Sequence, residues 1–147
     1  MKTFAVAMTL AGLVACSGTD HHPDRPPSTV TFDGSNAVLY VDVAGTAPEQ
    51  QRGLMGLEVL PADEGMAFVF TEPVNSTFWM KDTLIPLSIA FYDDRGRIVS
   101  LLDMEPCRVE PCPLYSPGAA YRGALEVNRG AFDRWGVRVG DRLRLEQ

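Results

Sequence analysis

No segment of this chain carries an apolar stripe at helical spacing long enough for a crossover helix, whereas short β-prone runs separated by Pro and Gly recur along it. Parallel strands need a long crossover, usually helical, so the pattern favours a β-rich fold over a βαβ architecture. Ala37 to Val43 (AVLYVDV) places Leu39, Val41 and Val43 on one face of a strand. The polar segment that follows, capped by Thr46 and ended by Gly53, predicts a short helix. Met66 to Phe70, Thr77 to Met80 and Leu87 to Tyr92 are β-prone and apolar enough to be core strands. Asp93-Asp94-Arg95-Gly96 is a turn cluster that joins the last of these to Arg97 to Met104 as a hairpin. The Pro-rich stretch from Glu105 to Gly118 predicts an irregular loop, and Ala124 to Val127 a further strand. Gly130 to Trp135 suggests a helix of one to two turns, and Val137 to Leu145 a closing hairpin or strand pair. The expected fold is mainly β with two short helices, a single compact β-barrel or β-sandwich-like domain, and 147 residues leave little room for a second.

The N-terminus reads as an address. Met1-Lys2 is a short basic start, Thr3 to Ala15 is apolar and uncharged, and the run ends at Cys16. It is too short for a spanning helix, which needs roughly 20 residues. Leu13-Val14-Ala15-Cys16 resembles the bacterial lipobox, which implies cleavage before Cys16 and acylation of that residue. Three acyl chains exceed what stable anchoring requires. Residues 1–15 are therefore expected to be a lipoprotein signal peptide and residues 16–28 a lipid-anchored, Pro-rich tether, with the β-rich domain over 29–147. In a two-membrane bacterium, Ser17 after the Cys resembles the signal for export to the outer membrane, which places the protein on its periplasmic face. His21 and His22 fall in the tether, where nothing would orient them as metal ligands.

Several blocks carry a family resemblance. Arg52-Gly53-Leu54-Met55, Gly65 to Phe70, Phe78-Trp79-Met80-Lys81-Asp82-Thr83 and Pro86-Leu87 resemble the signature blocks of the DUF192 family, as do Tyr115, Leu125-Glu126-Val127 and Gly140-Asp141. The resemblance spans about Val38 to Leu145 and implies a β-rich fold in an extracytoplasmic setting; the family's name records an unknown function. Family members commonly read Pro-Leu-Asp where this chain has Pro86-Leu87-Ser88, which replaces a carboxylate with a neutral hydroxyl.

The residues able to bind a ligand cluster in these blocks. Lys81 follows three large apolar side chains and can pair with a carboxylate, stack on an aromatic face or bind an anion. Glu126 is its expected partner; it points opposite to Leu125 and Val127, either to solvent or into a polar interior. Should Arg52, Lys81 and Glu126 converge, they form a small charged site with Trp79 and Tyr115 as its walls; otherwise they are separate ion pairs worth little. Packing explains the two aromatic residues equally well. Cys107 and Cys112 enclose four residues, and in an oxidising compartment a disulfide between them would pin the Pro-rich loop by about 2 kcal/mol.

Composition removes other functions. A net charge of −6, or 12 basic against 19 acidic side chains once Lys2 is cleaved off, argues against a nucleic-acid partner. The domain holds no His, which excludes Ser-His-Asp and Cys-His nucleophiles and a His-based zinc site, and it has no phosphate-cradling Gly-rich loop. The expected protein is a monomeric, membrane-anchored lipoprotein of the cell envelope that binds a small polar ligand or an envelope protein without catalysis, cofactor or metal. Two alternatives stay open: a carboxylate and Lys enzyme acting on an envelope polymer, and a copper-handling protein using Cys107, Cys112 and Met104 or Met80.

Overall fold

The structure, a computed structural model, describes Pro26 and residues 28–147. The expected signal peptide, the lipidation site Cys16, His21, His22 and most of the tether lie outside the described residues.

Seven strands form one sheet in the order β6-β5-β8-β3-β2-β1-β9. They are β1 (Ser28–Phe32), β2 (Val38–Ala44), β3 (Glu64–Val74), β5 (Leu87–Tyr92), β6 (Ile98–Met104), β8 (Tyr121–Asn128) and β9 (Leu143–Glu146). A separate two-stranded sheet pairs β4 (Phe78–Trp79) with β7 (Leu114–Tyr115). The short helices are α1 (Ala47–Arg52) and α2 (Ala131–Trp135).

The large sheet curls into a half-barrel, and its edges meet at one end. Arg97 bridges Arg142, the Ile98 N–H donates to the Asp141 carbonyl at 2.8 Å, and the Leu143 N–H donates to the Gly96 carbonyl at 2.8 Å. This seam needs glycine at position 96: its φ is +74°, and a Cβ there would lie 2.3 Å from the Leu143 carbonyl oxygen.

Each neighbouring pair in the large sheet is antiparallel except β2 with β3, which run parallel from Tyr40↔Glu64 to Ala44↔Phe68. The crossover between them is α1 and an irregular segment rather than a long helix. With none of its residues buried, α1 owes its position to local bonds. The Glu49 carboxylate accepts from the N–H groups of Thr46 (2.9 Å) and Gly45 (3.0 Å), which holds its pKa below the usual carboxylate range. Gln50 then ties the helix to the sheet, its Nε2 donating to the Val69 carbonyl at 2.9 Å and to the Ala44 carbonyl at 3.3 Å.

The sheet buries apolar side chains on both faces, and β5 is buried at every residue. Inside the curl, Val30, Leu39, Val41, Ala67, Ala90, Leu125 and Val127 pack together. Here α2 inserts Phe132, edge-on to Phe32 at 6.3 Å between ring centroids. On the other face, Met66, Phe68, Met80, Ile89, Phe91, Met104 and Tyr121 form a second cluster beneath α1 and the small sheet.

Several elements depart from the sequence reading. The sequence pattern marks no strand over residues 28–32, yet they pair with both β2 and β9; Ser28, expected as the end of the tether, opens that strand and is buried. Thr77 to Met80 contributes no strand to the large sheet: Phe78 and Trp79 pair with Tyr115 and Leu114 of the segment expected to be wholly irregular. Val137 to Leu145 is a turn followed by β9, because the Asp141 carboxylate accepts the Arg138 N–H at 2.8 Å and folds the chain back before Leu143 reaches β1.

Candidate functional site

Strand alternation puts Glu126 on the face opposite Leu125 and Val127, with Met66 of β3 and Ile89 of β5 as its cross-strand neighbours. It is thus an acid set in the apolar cluster under α1, and only 5% of it is exposed. Among the described residues no hydrogen bond or ion pair reaches its carboxyl, and since no fully sealed side-chain oxygen there lacks a partner, its oxygens open onto the adjoining space. Burial pushes its pKa up to about 8, so it is mostly neutral at pH 7.

The carboxyl lines a cavity of about 230 Å³ between α1, the β4 segment and the sheet. Phe68, Phe70 and Phe78 supply aromatic wall, Leu54 and Met55 cover one side, and Gln50, Gln51, Arg52 and Thr83 add polar groups. The rings brace one another: Phe68 and Phe78 meet edge to face at 4.9 Å, and Phe78 meets Phe91 at 5.6 Å. Trp79, 43% exposed, belongs both to this cavity and to an outer groove that it shares with Arg52, Lys81 and Asp82.

The five candidate residues are therefore divided. Arg52, Trp79 and Glu126 meet at the cavity, and Arg52, Trp79 and Lys81 at the outer groove. Lys81 is not the partner of Glu126. Its Nζ lies 2.8 Å from Glu110 Oε1 and 5.7 Å from the centre of the Trp79 ring. The hydrogen bond to Glu110 raises the Lys81 pKa and lowers that of Glu110. Tyr115 lines neither space: it pairs with Phe78 across the small sheet, and its hydroxyl accepts the Glu105 N–H at 3.2 Å. Sequence reasoning missed the Phe68, Phe70 and Phe78 wall and Gln50. Three of these four lie in the signature blocks, but a one-dimensional pattern does not distinguish cavity lining from core.

Lys81 owes its partner to the loop that carries Glu110. Cys107 and Cys112 are joined in a disulfide with their Cα atoms 5.4 Å apart, closing a ring that contains Glu110. Bridged sulfurs are not thiolates, and Met80 and Met104 are fully buried in the core. The bridged protein thus lacks the thiolate ligands on which the copper reading depends.

Ser88 lies elsewhere. Its hydroxyl donates to Asp103 Oδ1 at 2.5 Å and accepts the Gly130 N–H at 2.8 Å, fixing the start of α2 beside a carboxylate supplied from the neighbouring strand. Arg129 completes this surface cluster by pairing with Asp103 and Glu105.

Two solved structures are similar over most of their length. A candidate transcription regulator from Sinorhizobium meliloti 1021 superposes with a TM-score of 0.72 at 27% identity, over 82% of this chain and 95% of that one. A protein of unknown function from Novosphingobium aromaticivorans DSM 12444 does so with a TM-score of 0.69 at 32% identity, over 80% of this chain and 82% of the other. No curated protein matches the chain. The profile of DUF192, described as "Uncharacterized ACR", matches residues 28–145, and the chain belongs to that family.

Proposed function

We propose that this protein is a lipid-anchored, non-catalytic binding module of the cell envelope, and that the cavity under α1 holds a small ligand. One observation carries the binding role: Glu126 is buried, lines the cavity and has no partner among the described residues. Buried polar groups are normally hydrogen-bonded, so a carboxyl left without a bond beside open space is suited to a partner from outside the chain. Braced aromatic rings around it give shape to the apolar part of a ligand. Trp79 and Arg52 stand at the opening and make the first contacts, as the exposed edge of the cavity.

The anchor rests on the sequence alone. The apolar run that ends at Leu13-Val14-Ala15-Cys16 supports a lipid on Cys16, and the setting it implies is the periplasmic face of the outer membrane or, with one membrane, the cell exterior. The small-molecule role and the anchor are separable. Growth with labelled palmitate should mark the wild-type chain and leave Cys16→Ser unmarked; a labelled Cys16→Ser protein, or an unlabelled wild type, sinks the anchor. For binding, a panel of small polar compounds is titrated against the fluorescence of the full chain, with Trp79→Phe as the reference. A saturable change that disappears in Trp79→Phe, with the compound recovered at unchanged mass, is the expected result. A converted compound would overturn the non-catalytic part, and a panel without saturable binding would count against the cavity.

A further inference from the structure

The polar groups around the cavity are unequally committed. Gln50 Nε2 already serves the Val69 and Ala44 carbonyls, and the Thr83 hydroxyl lies 3.4 Å from the Lys81 carbonyl. Glu126 serves nothing among the described residues. Ionised, it is purely an acceptor, and it faces the cavity beside Phe68, Phe70 and Phe78. Aromatic rings carry negative faces that attract cations and repel anions. Carboxyl and rings therefore favour the same kind of guest.

We infer that the cavity takes the ammonium group of a small amine, seated on the Glu126 carboxylate, with the carbon body of the amine against Phe68, Phe70 and Phe78. The inference rests on the proposed binding role and gives the ligand its chemical class. Among the described residues no cation neutralises the acid. From β3 and β5 its neighbours are Met66 and Ile89, neither of which titrates. From the β4 segment come Trp79 and Thr83, and Lys81 beyond them is held by Glu110 outside the cavity. Among the described residues, Arg52, from α1, is the one other charged side chain in the cavity lining; it is exposed and lies one turn from Glu49. Solvent screens its charge, and its contribution is to the opening rather than to the buried acid.

Binding includes a proton transfer. At pH 7 the empty cavity holds mostly the neutral acid, because burial raises its pKa to about 8. An ammonium ion binds the ionised form, so the O–H bond breaks, the carboxylate keeps the electron pair, and the proton leaves to buffer. Affinity then rises about tenfold per pH unit up to about pH 8, levels off there, and falls again where the amine loses its own proton.

The probes are benzylamine and its neutral counterpart benzyl alcohol, titrated calorimetrically into the full chain in detergent micelles. Measurements at pH 7 in two buffers of different protonation enthalpy count the protons released. We expect benzylamine to release close to one proton and to bind at least tenfold more tightly than benzyl alcohol. In Glu126→Gln the release and the tenfold advantage disappear while benzyl alcohol still binds; Glu126→Asp retains the release, which separates lost charge from lost fold. Equal affinity for the two probes without proton release overturns the ammonium assignment and leaves the binding role standing. Failure of both probes to bind the wild type overturns both. Proton release that persists in Glu126→Gln places the proton on another group and overturns the assignment of Glu126.

Discussion

The two faces of the curled sheet are built from the same strands but end in different states. Inside the curl, Leu125, Val127, Ala67 and Ala90 meet Val30, Leu39 and Phe132, and each is at most 3% exposed. One residue along β8, the opposite face carries Glu126 instead, and its apolar cluster stops at a cavity rather than at another layer of side chains. An interior optimised only for stability would fill that space, since voids and unpaired acids both destabilise. The contrast separates the face that is packed throughout from the face on which the proposed binding role rests.

Three substitutions probe this contrast. Leu125→Ala, on the filled face, should be the most damaging. The side chain is fully buried, and the cavity left behind should cost about 4 kcal/mol in urea denaturation; a loss below about 1 kcal/mol would mean that this face is as loose as the other.

Glu126→Gln acts in the opposite direction and depends on pH. Its pKa is raised in the folded state from the ordinary carboxylate value of 4.5 to about 8. Below about pH 4.5 the acid is protonated whether the chain is folded or not, and it costs nothing. As pH rises the unfolded chain ionises first, so the wild type loses stability until about pH 8, where the folded state ionises too. Glu126→Gln should therefore match the wild type at pH 4 and exceed it by about 3 kcal/mol at pH 7. A gap that does not change with pH would place the acid in contact with solvent.

Lys81→Ala should have the smallest effect. Its pair with Glu110 is exposed on both sides, so the denaturation midpoint should not shift measurably in moderate salt. A clear loss would show that the disulfide-closed loop depends on this contact for its position.

Local chemistry was legible in the sequence and distant pairing was not. Thr46 and Gly53 mark α1 because caps act within a few residues, and Asp93 to Gly96 marks the β5 to β6 turn for the same reason. Alternation put Glu126 opposite Leu125 and Val127, but whether that side met water or a cavity depended on α1 and β4, which lie far away in the chain. Lys81 pairs with a carboxylate other than the expected Glu126 because Glu110 reaches it only through the folding of the Cys107 to Cys112 ring. The strand at Ser28–Phe32 escaped notice because its partners are β2 and the C-terminal β9, and its alternating Thr residues hide two buried apolar positions, Val30 and Phe32.

The parallel register of β2 and β3 bears on how a site of this kind can diversify. Antiparallel neighbours can be joined by a tight turn, but parallel ones oblige the chain to travel back across the sheet. In this protein that return path, residues 45–63, carries Gln50, Gln51, Arg52, Leu54 and Met55 to the cavity. Strand pairing asks only that the path have enough length, and it leaves the identity of most exposed residues along it open. Related proteins can therefore vary the cover outside the Arg52 to Met55 signature block, at positions such as Gln50 and Gln51, over a constant base and without relearning how to fold.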